Sequence, residues 1–223
     1  LLTIKSQAGN FRLLLSASAS LPLVYLTASN KPSPLTAPNF CMLLRKHISG
    51  GRIVSVTQPS LERVLRFGIE DLDEMGDLCR KYLVVEIMGK YSNIIFCSDQ
   101  DQIIDSIKHV SAQISSVREV LPGRPYFIPE TQEKEDPLTV FEGAFVSAVC
   151  SKSAKLSKAL YTSLTGISPV AAEEIVSRAS LDSDRAANSY EPEELIHLYR
   201  TFRRYLEPLT EGAYEPSIYY DGK

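Results

Sequence analysis

No pair of cysteines in this sequence has C-x-x-C spacing. Cys41, Cys79, Cys97 and Cys150 stand far apart, which argues against zinc. Cys41, Cys97 and Cys150 lie among apolar residues and read as buried free thiols of a reducing compartment. The histidines, His47, His109 and His197, have no second ligand at metal spacing, so no metal is expected. G-x-S-x-G, P-loop and dinucleotide fingerprints are missing, and no cysteine has a neighbouring histidine to activate it. Neither catalysis nor a cofactor is expected, and a binding module is the default. No apolar run approaches the roughly 20 residues that cross a bilayer, so no membrane partner is expected. The start, Leu1-Leu2-Thr3-Ile4-Lys5, lacks the basic segment and cleavage site of a signal peptide. It begins inside what reads as a strand, as though the first part of the fold were missing. A cytoplasmic protein is expected. Strong charge of one sign is absent too: 24 Lys and Arg against 27 Asp and Glu leave a net charge of −3. No global basic field draws in nucleic acid, so any such contact has to come from a local patch.

What is present reads as strands, then helices. The chain has 223 residues, 44% apolar and 23% charged, enough for one large domain or a core with a smaller companion. Leu1–Lys5 and Phe11–Ala17 read as a hairpin around Gly9-Asn10. Leu23–Thr27, Arg52–Gln58, Leu61–Ile69 and Ile103–Ile107 read as further strands. Tyr82–Phe96 reads as a strand, a polar turn at Gly89–Asn93 and a second strand. A helix is predicted over Thr36–Ser49, with Thr36 as its cap. This succession of short strands predicts an antiparallel sandwich or barrel. Glu86 falls inside an apolar strand, on the face shared by Tyr82, Val84 and Met88. A buried carboxylate there must find a partner or stay neutral. Otherwise it faces a ligand groove, or the strand is an edge with a solvated Glu.

The composition shifts near Pro137. After it, Leu138–Cys150, Leu156–Leu164 and Pro192–Leu206 read as helices. Gly166, Ser168 and Pro169 mark a helix-hairpin-helix turn with a capping Ser and Pro at the first helical position. Such a turn offers its amides to a phosphate or serves as plain packing. The predicted organisation is a β-sandwich core over 1–136, a helical module over 137–212, and a C-terminal strand over 213–223 returning to the core.

Five stretches in order carry a family likeness: Phe40-Cys41-Met42-Leu43-Leu44-Arg45-Lys46-His47; Glu62-Arg63; Glu86-Ile87-Met88-Gly89-Lys90-Tyr91-Ser92-Asn93; Ile104-Asp105-Ser106-Ile107-Lys108-His109; and Leu121-Pro122-Gly123-Arg124-Pro125-Tyr126. They resemble the N-terminal domain of the NFACT family, the RqcH/NEMF group whose bacterial members were long called fibronectin-binding protein A. The resemblance implies an α+β fold: an antiparallel β-sandwich like the N-domain of the formamidopyrimidine-DNA glycosylases, then a helix-hairpin-helix module. It implies ribosome-associated quality control, in which such proteins bind the large ribosomal subunit still holding peptidyl-tRNA. They then recruit tRNA, alanyl-tRNA in bacteria, to tail the stalled chain. Glu62-Arg63 matches the family's Asp-Arg pair. Glu86-Ile87-Met88-Gly89-Lys90 matches its Glu-Ile-Met-Gly-Arg. These seven residues are the implied tRNA-binding site. Glu62 is one methylene longer than Asp. Lys90 lacks the fork of Arg, and Tyr91 stands where His is usual. The glycosylase likeness brings no activity, because this chain shows no N-terminal proline nucleophile. The family's coiled-coil arms and C-terminal domains are absent, which implies a fragment. The competing reading is a surface adhesin that binds fibronectin.

Overall fold

Strand-forming sequence fills the first half of the chain and helix-forming sequence the second. The computed structural model, which describes residues 1–30, 32–73, 75–129, 134–218 and 220, has that order. The fold is α+β. One unit comprises Leu1–Pro59 with Arg63–Pro129, and the other Ser60–Glu62 with Glu130–Lys223.

The first unit holds two antiparallel sheets. Strands β1 (Leu2–Ser6), β2 (Gly9–Ala17) and β3 (Pro22–Leu26) form one. Strands β4 (Arg52–Thr57), β5 (Val64–Leu72), β6 (Leu78–Glu86), β7 (Asn93–Cys97) and β8 (Ile103–Ser106) form the other, in sequential order. Alternation divides the larger sheet between two cores. Phe67, Ile69, Leu83, Val85, Ile94 and Phe96 meet Leu13 and Ala17 of β2, and helix α1 (Asn39–Ile48) closes that core with Phe40, Leu43, Leu44 and Ile48. Val64, Val84, Ile95, Cys97 and Ile103 point the other way, against Val120 and Tyr126. The expected sandwich is therefore present, with a second, smaller core behind it.

Two local expectations shift. The first hairpin turns at Gln7-Ala8, because Ser6 pairs with Gly9 and Lys5 with Asn10. The Ser6 hydroxyl accepts from the Ala8 amide at 3.1 Å, a serine turn that takes the place of the expected Gly9-Asn10 bend. Helix α1 starts at Asn39 after Pro38, with no side-chain cap, so Thr36 does not cap it.

The second unit packs α2 (Glu142–Cys150), α3 (Leu156–Ser163), α4 (Pro169–Arg178) and α5 (Pro192–Glu211) around Phe145, Leu160, Ile175, Leu198 and Phe202. The hairpin between α3 and α4 forms as expected: the Ser168 hydroxyl accepts from the Ala171 amide at 3.1 Å, and Pro169 opens the helix. Its turn is a packing surface. Gly166 has φ +73°, and a Cβ there would lie 2.4 Å from Leu61 Cβ and 2.5 Å from the Leu61 carbonyl oxygen. Ser60 fastens the same short segment by donating to Asp136 at 2.6 Å. Glu135, expected in the loop that ends the core, bonds instead through its backbone to Ser163 and Thr165. The helical unit therefore takes residues that the composition assigned to the sandwich.

The expected strand over 213–223 is not formed among the described residues. Gly212 ends α5 in the left-handed conformation at φ +70°. Pro216 then removes a ladder donor, and residues 213–218 enter no strand pairing. Residues 219 and 221–223 of that expectation lie outside the described residues. Nor does any described helix have the length and apolarity to cross a membrane.

Candidate nucleic-acid interface

At one end of the larger sheet, β5 begins where β6 ends. The Ile87 amide donates to the Arg63 carbonyl at 2.8 Å, which extends the pairing of Val64 with Glu86 and seats Arg63 beside the β6–β7 turn. That turn is a short 3-10 segment, Gly89–Tyr91. Its φ of +56° at Gly89 falls in the left-handed region, where a Cβ is strained. The Tyr91 amide donates to Met88 at 3.1 Å and the Ser92 amide to Gly89 at 3.0 Å. The Met88 amide returns a bond to the buried Ser92 hydroxyl at 2.8 Å. A turn braced in this way presents its outward side chains, Lys90 and Tyr91, in a fixed frame. Arg63 and Lys90 are both exposed.

Beneath the turn, polar groups are consumed internally. The buried Asn93 donates to the Lys108 carbonyl at 2.8 Å, and its Oδ1 accepts from the Lys108 and Ile94 amides. Lys108 Nζ donates to the carbonyls of Ala17 and Ser92, at 2.6 and 2.8 Å. The Ile-Asp-Ser-Ile-Lys-His stretch thus ties β8 to β7 and β2. Its His109 meets Asp105 at 2.7 Å.

Glu86 is 1% exposed. Arg118 Nη2 stands 2.5 Å from both carboxylate oxygens, and Arg118 Nη1 donates to the Phe127 carbonyl. The Tyr126 hydroxyl donates to Glu86 at 3.1 Å. Burial, reinforced by the Glu86 charge, pushes the Tyr126 phenol above its ordinary range. Burial alone would lower the Arg118 guanidinium, but the bond and charge of Glu86 outweigh it and the net shift is upward. The carboxylate is spent on holding the 118–127 segment over the sheet. The Glu86 of the expected RNA-binding set thus neither faces a groove nor stands solvated at an edge: a buried ion must be paired, and Arg118 pairs it.

Sequence comparison decides the family. The profile described as NFACT N-terminal and middle domains matches residues 1–223. The chain belongs to the NFACT family. Among its NFACT relatives, the "Rqc2 homolog RqcH" of Bacillus subtilis is 41% identical over 179 residues, covering 80% of this chain and 31% of that protein. The "Archaeal Rqc2 homolog aRqcH" of Methanocaldococcus jannaschii is 27% identical over 193 residues, covering 83% of this chain and 27% of that protein. The chain thus spans less than a third of the length of these curated relatives. Among solved structures, the N-terminal part of the fibronectin/fibrinogen-binding protein from Streptococcus suis superposes with a TM-score of 0.75 at 30% identity, covering 92% of this chain and 71% of that one. The fibrinogen binding protein from Staphylococcus aureus gives 0.74 at 28% identity, covering 94% of this chain and 69% of that one.

Within this NFACT chain, the fold brings together Arg63, Ile87, Met88, Gly89 and Lys90. Ile87 and Met88 are half-buried and pack on the two cores of the first unit. Glu62 belongs to the Ser60–Glu62 segment of the helical unit, and the change of unit falls between it and Arg63. Sequence reasoning missed Arg118, the partner of Glu86. It sits in a polar run, Ser115-Ser116-Val117-Arg118-Glu119, with no periodicity to mark it. The available signal was indirect: a Glu among strand valines demands a cation somewhere in the chain.

Proposed function

We propose that this chain is the tRNA- and large-ribosomal-subunit-binding module of a ribosome-associated quality control factor, one that directs alanine tailing of stalled nascent chains. It acts in the cytoplasm by binding, without catalysis of its own. Arg63, Ile87, Met88, Gly89 and Lys90 meet the RNA, with Glu62 adjoining through the chain and Glu86 fixing the sheet end behind them. The observation that carries this reading is the placing of two exposed cations on one braced sheet end by the Ile87–Arg63 bond. Backbone phosphates are what such a patch recognises. The name RqcH borne by relatives over most of this chain supports the biological setting.

Sequencing the RNA that co-purifies with the protein tests it. tRNA is expected in excess, and its loss is expected in Arg63→Ala and Lys90→Ala. Recovery of no RNA, or of RNA without tRNA enrichment, would overturn the reading. The fibrinogen- and fibronectin-binding names of the solved neighbours support a second reading, a surface adhesin. Labelling of intact cells with an impermeant reagent favours it only if the protein is modified without lysis.

A further inference from the structure

Cys79 is set apart from the other cysteines already in the sequence. It stands in Asp77-Leu78-Cys79-Arg80-Lys81, among charges rather than among apolar residues. The structure keeps the difference. Cys97 is fully buried, and the Cys150 thiol donates to the Ser147 carbonyl at 3.6 Å. Cys79 is half-buried, and its sulfur accepts from the Lys81 ammonium at 2.9 Å. Both residues belong to β6, where alternation puts them on one face. Two residues of strand rise span about 6.6 Å, so the lysine stem folds back along the strand to reach the sulfur. The acid opposite Cys79 in the ladder is Asp71, and its Oδ1 accepts from the Leu72 amide at 2.8 Å. Arg80, on the other face, pairs with Glu70. Among the described residues, Lys81 Nζ meets a sulfur where a lysine ordinarily meets a carboxylate or water.

We propose that Cys79 and Lys81 form a covalent bridge, a sulfenamide, when hydrogen peroxide oxidises the thiol. Cysteines that react with peroxide are partly exposed and stand beside a cation. Peroxide transfers one oxygen to Cys79 Sγ: an S–O bond forms, the O–O bond breaks, and the other oxygen leaves as water. Sulfur is oxidised by two electrons and the peroxide is reduced. Lys81 gives one proton to solvent, and its neutral Nζ attacks the sulfur. The N–S bond forms as the S–O bond breaks, and the hydroxyl departs as a second water with a proton from Nζ. One thiol, one ammonium and one peroxide thus become one sulfenamide, two waters and one proton. Sulfenic acids condense with a neighbouring nitrogen in this way. Here the nitrogen is in contact beforehand, so its capture of the sulfur outpaces a second peroxide. Two small thiols restore both side chains and leave as a disulfide. The bridge removes the Lys81 charge while it lasts, and it forms whether or not the chain binds RNA.

The test treats the folded 223-residue chain with hydrogen peroxide, alkylates the remaining thiols, digests with trypsin and maps the peptides by mass spectrometry. Trypsin does not cut after a bridged Lys81. The expected product therefore carries Cys79 and the uncut Lys81 together, lighter by two hydrogen atoms than its reduced form, and dithiothreitol restores both the mass and the cut. Wild type alone gives this result, without any variant that must fold. Lys81→Arg keeps the charge but loses the nucleophilic amine, and it is expected to lose the bridged product and to carry Cys79 onward to sulfinic acid. Sulfinic acid at Cys79 in wild type to the same extent as in Lys81→Arg would overturn the bridge. So would a Cys79 left unreacted by peroxide, or one joined to another cysteine.

Discussion

Glu86 and Arg118 lie 32 residues apart in sequence and share one buried ion pair, in which a single guanidinium nitrogen stands 2.5 Å from each carboxylate oxygen. Through it the end of β6 grips the segment that closes the second core of the first unit. Arg118→Met leaves the carboxylate buried without its cation and is expected to cost about 3–5 kcal/mol. The double variant Glu86→Leu, Arg118→Met removes both charges and is expected to be more stable than Arg118→Met alone. Urea unfolding followed by circular dichroism reads both. Unchanged stability in Arg118→Met would show that the pair does not hold this segment.

Arg63 and Lys90 behave oppositely. Both are exposed, so Arg63→Ala and Lys90→Ala are expected to change stability by no more than about 0.5 kcal/mol. On the proposed RNA-binding reading each removes a phosphate contact and is expected to flatten the salt dependence of RNA binding by about 0.7–0.9 in the log–log slope. Lys90→Arg restores a forked donor and is expected to tighten binding. Titrations at several salt concentrations give the slope directly.

Gly166 is the most constrained glycine of the helical unit. Gly166→Ala combines a strained φ of +73° with a Cβ placed 2.4 Å from Leu61. A loss of about 2–5 kcal/mol is expected, from left-handed strain plus overpacking. Leu61→Ala in the same background keeps the Leu61 Cβ and carbonyl oxygen that the new methyl would meet, so no recovery is expected. Chemical denaturation of the single and double variants measures the coupling.

Cys97 gives the first unit a sensitivity to alkali. Burial, helped by the charge of Asp101, pushes its thiol from 9.0 up to about 12. Below pH 9 both folded and unfolded chains hold the proton, and the full stability is present. As pH rises from 9 towards 12 the unfolded chain ionises first, so stability falls across that window. The raised Tyr126 phenol adds a loss of the same sign once pH exceeds its ordinary value of 10.0. Thermal melts from pH 8 upward should show a declining midpoint, and Cys97→Ala should make the decline shallower. A parallel decline in that variant would remove Cys97 as a cause.

The faces of the β6 strand were legible because hydrophobic alternation is a local signal: Val84, Glu86 and Tyr82 fall on one face, as the period of two demands. The Ser168-Pro169 cap was legible for the same reason, since capping chemistry is written within four residues. What escaped depends on distant partners. Nothing in the sequence near Arg118 announces that it closes on Glu86. Ile218 has strand propensity, yet residues 213–218 find no strand to join. Leu61 read as the start of a strand running on to Ile69, but its side chain packs with the helical core. The candidate site was half legible: Arg63 and Lys90 were found as cations beside turns, while the burial of Glu86 emerged only from tertiary packing.

The passage of residues 60–62 into the helical unit has a consequence for how the chain matures. Leu61 is synthesised long before α2 to α5, yet their core closes around it. Leu61 therefore waits for the helices to emerge before its side chain finds its packing partners, and a fragment begun after Pro129 would lack the residue that lies against Gly166.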